Sequence, residues 1–154
     1  MFLLGNYQHS LDDKNRIRLP SNFRKEMGDT YFLMPGANGC IHVYKADETQ
    51  EVLSSLLSLE SFDPEQSLML TKIAAFSRAV TADGQGRFML PDDLIEMVGI
   101  KKDVRIVGAF TKAQIWSEEA WQEKFGSANL TGAALDEIYR KLDAAMKTSS
   151  KPTK

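Results

Sequence analysis

Lys14, Arg16 and Arg18 are basic side chains spaced by two. On an extended ribbon that spacing projects them to one face. Arg24 and Lys25 follow, and no acid interrupts the run from Lys14 to Lys25, so the segment carries a local charge of +5. A basic two-stranded ribbon fits the DNA major groove, where Arg pairs bidentately with guanine or holds a phosphate. A solvated basic surface accounts for any single one of these residues as well as a DNA contact does.

Arg16 also closes a second pattern, Asp12-x-x-x-Arg16, which returns as Asp83-x-x-x-Arg87. Asp12 and Asp83 suit a structural role, accepting hydrogen bonds from the backbone N–H groups of a turn. Asn15, Gly84 and Gly86 supply positions that tolerate φ > 0. Arg87 either contacts DNA or pairs only with Asp83. Its copy is followed by Asp92, Asp93 and Glu96, which oppose attraction of a phosphate.

Catalysis finds little to stand on. His9 and His42 have no nucleophile placed with them in the sequence. Cys40 and His42 lie two apart on an apolar strand, where core residues are a better reading than metal ligands. Cys40, as the single cysteine, forms no internal disulfide. Gly84-x-Gly86 lacks the third glycine and long helix of a dinucleotide fingerprint, so it is a turn. The sequence predicts no catalytic residue, no metal site, no cofactor and no small-molecule substrate.

The elements that position these residues come from a duplication. Leu11–Pro20 matches Ala82–Pro91 at a constant offset of 71, which also carries Gly28 onto Gly99. Each copy reads as an extended stretch (5–11; 78–82), a polar turn, and a short alternating strand ending at Pro. A short helix follows (21–27; 92–98), with Phe23 and Met27, or Leu94 and Val98, on one face. Gly28 and Gly99 occupy the position where a left-handed residue stops a helix. Two strands close each copy, Tyr31 to Met34 with Cys40 to Tyr44, and Val104 to Val107 with Gln114 to Trp116.

Between the copies, Asp47 with Gln50 caps one helix with an apolar stripe of Val52, Leu53, Leu56 and Leu57. Asp63-Pro64-Glu65-Gln66 starts a second, whose stripe is Leu70, Ile73, Ala74 and Phe76. Beyond the second copy, Ser117 caps a short helix carrying Trp121 and Phe125. After a loop over 126–132, Leu135, Ile138, Tyr139, Leu142 and Met146 mark a final amphipathic helix. The expected organisation is a first repeat over 5–46, a helical connector over 47–76, a second repeat over 77–120, C-terminal helices over 121–146 and a disordered tail over 147–154.

A repeat of about forty residues buries too little surface alone, so the two should share one core as halves of a small barrel. The fold class is α+β, with a mainly β-barrel core flanked by helices. The 154 residues fit one ordinary domain or two very small ones, and at 43% hydrophobic and 26% charged they supply a packed core, unlike a disordered chain. A net charge of −2 excludes a uniformly basic nucleic-acid coat but not a local basic patch. The longest apolar run at the N-terminus, Met1 to Leu4, is too short for a signal peptide or a membrane span, which predicts a soluble cytosolic protein.

His9 to Arg16 with Leu19-Pro20, Asp83 to Arg87 with Pro91, and the later Ile106-Val107-Gly108 and Ile115-Trp116 together resemble the MraZ family of bacterial proteins with two SpoVT-AbrB repeats. The likeness runs from Met1 to about Phe125. It implies swapped-hairpin repeats forming one pseudo-two-fold barrel, with both halves from one chain. It implies a ring-shaped homo-oligomer on double-stranded DNA, bound at tandem promoter repeats of the division and cell-wall gene cluster. Action as a repressor, autoregulation and association with the nucleoid come with that reading. Carried over by position, the DNA-facing residues are Lys14, Arg16, Arg18 and Arg87. Asn15 stands where the family usually has Gly, and Leu3 where an Arg is common. The rival expectation is a protein-interaction scaffold or antitoxin-like module working through the helical stripes.

Overall fold

Short alternating segments separated by Gly, Pro and Asn turns favour antiparallel pairing, and that is how the chain folds. A computed structural model describes residues 2–48, 51, 53–55, 58 and 63–149, in two units, Met1–Glu118 and Glu119–Lys154. The first unit runs β1 (Asn6–Ser10), β2 (Arg16–Arg18), α1 (Ser21–Met27), β3 (Thr30–Pro35), β4 (Ile41–Lys45), α2 (Pro64–Ala75), β5 (Arg78–Thr81), β6 (Arg87–Met89), α3 (Asp92–Val98), β7 (Asp103–Gly108) and β8 (Ala113–Ser117).

Six strands form one antiparallel sheet in the order β1-β7-β8-β4-β3-β5, and β2 pairs with β6 in a separate ribbon. The opening strand of each repeat is handed to the other repeat. β1 pairs with β7, from Asn6 opposite Val107 to Ser10 opposite Asp103, and β5 pairs with β3, from Thr30 opposite Thr81 to Leu33 opposite Arg78. β4 and β8 join the halves with Ile41 opposite Ile115. Replacing each strand by its counterpart in the other repeat returns the same order read backwards. The sheet has two edges, β1 and β5, so its six strands do not by themselves close the small barrel that the sequence predicts. The reason lies just beyond those edges, where the chain turns at Asp12 and Asp83. The strands that follow are only three residues long and pair with each other, not with the sheet.

The core is built from matched residues of the two copies. Ile17 and Phe88, Leu19 and Leu90, Phe23 and Leu94, Met27 and Val98, and Tyr31 and Val104 are all buried in one cluster. Aromatic edges lock it, with Tyr7 against Phe23 at 5.5 Å and Tyr31 against Phe88 at 5.2 Å between ring centroids. Each fully buried large apolar side chain is worth about 1.5–3 kcal/mol of transfer free energy.

Pro20 and Pro91 precede α1 and α3, and Gly28 and Gly99 follow them. Gly99 is left-handed (φ 72°, ψ 28°), as the sequence predicts. Gly28 shares the positive φ but has ψ −147°. The chain leaves Gly28 almost directly into β3. After Gly99 it first buries Ile100, whose N–H returns to the Ile95 carbonyl at 3.0 Å.

Asp63 caps α2 through Oδ1, which accepts from Glu65 N at 2.9 Å and Gln66 N at 3.4 Å, with Pro64 in the first turn. Of its expected stripe, Leu70, Ile73 and Phe76 are partly buried and Ala74 is exposed. In the preceding stripe Leu53 is partly buried; Gln50, Val52, Leu56 and Leu57 lie outside the described residues. Asp47 sits in a single 3-10 turn, Ala46–Glu48. At the far end, α4 (Glu118–Phe125) stacks Trp121 on Phe125 at 4.5 Å. α5 (Gly132–Ser149) continues past 146, so residues 147–149 are helical, and residues 150–154 lie outside the described set. Among the described residues no helix is long and apolar enough to cross a membrane.

Candidate nucleic-acid interface

The β2–β6 ribbon presents two faces. Ile17 and Phe88 oppose each other on the inner one and are buried. Their neighbours alternate to the other side: Arg16 opposite Met89, and Arg18 opposite Arg87. Arg18 and Met89 are exposed, Arg16 and Arg87 partly so. A buried pair thus forms the floor of an outward face carrying three guanidiniums.

The turn at each end of the ribbon is built the same way. Asp12 Oδ1 accepts from Lys14 N at 2.9 Å and Arg16 N at 2.8 Å, while Oδ2 accepts from Arg16 Nε at 2.8 Å. Asp83 Oδ1 accepts from Gln85 N and Arg87 N, both at 2.9 Å, and Oδ2 from Arg87 Nε at 3.1 Å. Hydrogen bonds from the backbone N–H of the arginine, with further help from the rest of the turn, hold both carboxyls below the usual aspartate value. Each carboxylate also orients its arginine, since it takes the Nε edge and leaves the Nη edge as the one to present.

The left-handed position is the third after the aspartate, where the N–H bonds back to the aspartate carbonyl. Asn15 fills it with φ 57° and Gly86 with φ 81°. Gly84 lies in the second turn but does not have positive φ; within that turn the left-handed conformation belongs to Gly86. Leu3 is buried and bridged to Phe110, and so is no part of this surface.

Sequence reasoning missed the neighbours that each turn receives from the other repeat. Arg18 Nη1 donates to the Gln85 carbonyl at 3.3 Å. A Cβ placed on Gly86 would meet Arg24 Nη1 at 2.8 Å and Arg18 Cδ at 3.2 Å, so both side chains pass over the second turn. Arg24 is steadied by its Nε, which donates to the Leu19 carbonyl at 3.2 Å. The first turn receives an acid instead, with Asn15 Nδ2 donating to Asp92 Oδ1 at 3.3 Å. Asp93 is paired with Arg78 at 2.8 Å. The basic run of the first copy flagged Arg24, but only the pairing of β2 with β6 shows which turn it serves.

Cys40 is buried and His42 partly buried. Burial pushes the Cys40 thiol up to about 11 and the His42 imidazole down to about 4. Among the described residues no three His, Cys, Asp or Glu side chains come together as a metal site.

Both turns and the ribbon lie within the length matched by one family. The family model described as "MraZ protein, putative antitoxin-like" matches residues 2–72 and 75–134. The chain belongs to the MraZ family. A relative from Caldanaerobacter subterraneus subsp. tengcongensis, named Transcriptional regulator MraZ, is 33% identical over 92% of this chain and 96% of its own length. Relatives of the same name from Acetivibrio thermocellus and Clostridium acetobutylicum are 32% and 37% identical, over 86% and 78% of this chain and 93% and 84% of their own lengths. The MraZ match spans both Asp-x-x-x-Arg turns and the whole β2–β6 ribbon.

Proposed function

We propose that the protein is a non-enzymatic transcriptional regulator that binds double-stranded DNA through the outward face of the β2–β6 ribbon. The observation that carries this is the convergence of Arg16, Arg18 and Arg87 on one face above a buried floor, with a carboxylate orienting Arg16 at one end and Arg87 at the other. A two-stranded ribbon of this kind enters the major groove, where guanidiniums read guanine or grip phosphate. Lys14, exposed at the tip of the first turn, adds a phosphate contact. The names of the relatives support the regulatory role.

In the full reading the two repeats form one pseudo-two-fold unit, and several chains assemble into a homo-oligomeric ring. The ring engages tandem promoter repeats, including those of the protein's own operon and of the division and cell-wall gene cluster, over the nucleoid in the cytoplasm. Ring assembly would offset the net charge of −2 by multiplying one basic ribbon over several binding sites. No cofactor takes part.

The test is a fluorescence-anisotropy titration of DNA from upstream of the protein's own gene against a scrambled duplex, at several salt concentrations. Preferential binding that weakens with a log–log slope of about −0.9 per neutralised phosphate is expected. Arg18→Ala should weaken specific binding about tenfold at unchanged thermal stability. Equal, feeble binding to both duplexes would reject the reading.

A second reading, a protein-interaction scaffold, is favoured by α5. Leu135, Ile138, Tyr139, Leu142 and Met146 are exposed along one helix. Stoichiometric, salt-insensitive capture of a foreign protein, without a DNA shift, would favour it.

A further inference from the structure

We propose that Arg18, Arg24 and Arg87 form a preassembled seat over Gly86 for a single backbone phosphate of DNA, so that the second turn anchors the ribbon on the duplex. The proposal rests on the DNA-binding reading above and deepens it by assigning one contact to one place.

Charge separates the two turns. Asp12–Arg16 contains two acids and two bases and gains Asp92 from the other repeat, for a net −1. Asp83–Arg87 contains one acid and one base and gains Arg18 and Arg24, for a net +2. The sequence placed the positive charge on the first copy, but the crossing of β2 over β6 delivers it to the second.

The seat has a shape as well as a charge. Arg18 and Arg87 are ladder partners, and like charges directly opposite are destabilising unless an anion joins them. Arg24 reaches the same turn from α1, its Nε fixed on the Leu19 carbonyl and its Nη1 over Gly86. Arg87 is held by its Nε on Asp83, and Arg18 by one Nη on the Gln85 carbonyl. Each guanidinium is therefore tethered at one point and keeps donors for an oxyanion, the arrangement that suits phosphate. Gly86 leaves the space: any Cβ there would drive Arg24 and Arg18 away.

The duplication supplies an internal contrast. At the offset of 71, Arg18 corresponds to Met89 and Arg24 to Ile95. Met89 is exposed and apolar, and Ile95 packs against the core. Neither can hold a phosphate at the first turn, where Asp92 would in addition repel one.

The experiment is the same salt-dependent titration with wild type, Arg24→Gln, Arg24→Lys and, as a neighbour on the same helix, the exposed Lys25→Gln. Arg24→Gln should weaken binding to native and scrambled duplexes alike, roughly five- to tenfold, and reduce the salt slope by about one phosphate. Arg24→Lys should restore the slope, and Lys25→Gln, on the same basic run but outside the seat, should reduce affinity and slope less than Arg24→Gln does. A thermal melt confirms that the variants are folded, and Arg24→Lys keeps the test valid if the Gln variant is not. Wild-type binding with an Arg24→Gln slope equal to that of wild type would overturn the seat and leave the DNA-binding reading standing. An Arg24→Lys variant with a salt slope as shallow as that of Arg24→Gln would also overturn it, since the charge would then not be what matters. No wild-type binding at any salt would overturn both.

Discussion

Asp12–Arg16 and Asp83–Arg87 make the same turn from different residues. The carboxylate caps the same two N–H groups in each, the arginine Nε closes the ring, and the third residue after Asp is left-handed. What differs is the side chain at that position, Asn in one and Gly in the other, and what stands over it. Asn15 reaches out to Asp92, whereas Gly86 is overlaid by Arg18 and Arg24. Turn geometry is thus a local property of Asp and Arg four apart, while turn electrostatics is a property of the neighbouring repeat.

The largest effect should come from removing what the two turns share. Phe88 is buried opposite Ile17 at the centre of the ribbon and packs on Tyr31. Phe88→Ala should cost about 3–5 kcal/mol in chemical denaturation and abolish DNA binding with it. Retained stability would show that the ribbon is not floored by the core, and the two turns would then need separate accounts.

Exchanging the left-handed residues sharpens the comparison. Gly86→Ala forces a Cβ into positive φ and against Arg24 Nη1 at 2.8 Å. The backbone strain alone should cost about 1–2 kcal/mol, and displacement of the arginines should lower DNA affinity as well. Asn15→Gly loses only the contact to Asp92 and should stay within about 0.5 kcal/mol of wild type. Urea melts of the pair decide it; equal effects would mean that the two positions are overlaid alike.

Much of this was legible in advance. The offset of 71, the residues of every short strand, the Pro and Gly that bracket α1 and α3, and the capping Asp63 all follow from local periodicity and turn chemistry. The partners of the strands do not. β1 joining β7 and β5 joining β3 are pairings between distant segments, and no periodicity within either repeat specifies them. For the same reason the sequence places Arg18 among the DNA-facing residues of the first copy, and Arg24 only within its basic run, while the fold carries both over the second turn. Gly84 and Gly86 look alike in the sequence because glycine permits positive φ without requiring it. The turn's own hydrogen bond, from Gly86 N to the Asp83 carbonyl at 2.9 Å, selects the later glycine. Shared burial predicts a small barrel without saying which strands close it, and β2 and β6, three residues each, pair with each other and not with the sheet.

A gain-of-function change tests whether the first turn lacks only its arginine. Met89, exposed opposite Arg16, is the counterpart of Arg18. Met89→Arg should strengthen DNA binding a few-fold and steepen the salt slope by about one phosphate. Adding Asp92→Asn should increase the gain, because it removes the acid beside Asn15. Unchanged affinity in the double variant would place the first turn away from the duplex.

The smallest effect concerns what the turns have in common. Both Asp12 and Asp83 titrate below the ordinary value of 3.8, chiefly because a backbone N–H donates to each carboxylate. A depressed value in the folded state means that these groups stabilise the protein fully above about pH 4. That contribution fades as pH falls through the folded-state values, where the carboxylates take up protons and lose their charge-assisted bonds. Melting temperature followed from pH 6 to below pH 3 should therefore drop in wild type. Asp12→Asn and Asp83→Asn should each flatten the drop, because the amide oxygen accepts from the same N–H groups but does not titrate. Since the two carboxylates make the same set of bonds, the two variants should flatten it equally, whatever charge stands over each turn. Curves that flatten for Asp83→Asn alone would mean that the arginines above Gly86 reach into the turn's own stability, and the division between local geometry and borrowed charge would have to be redrawn.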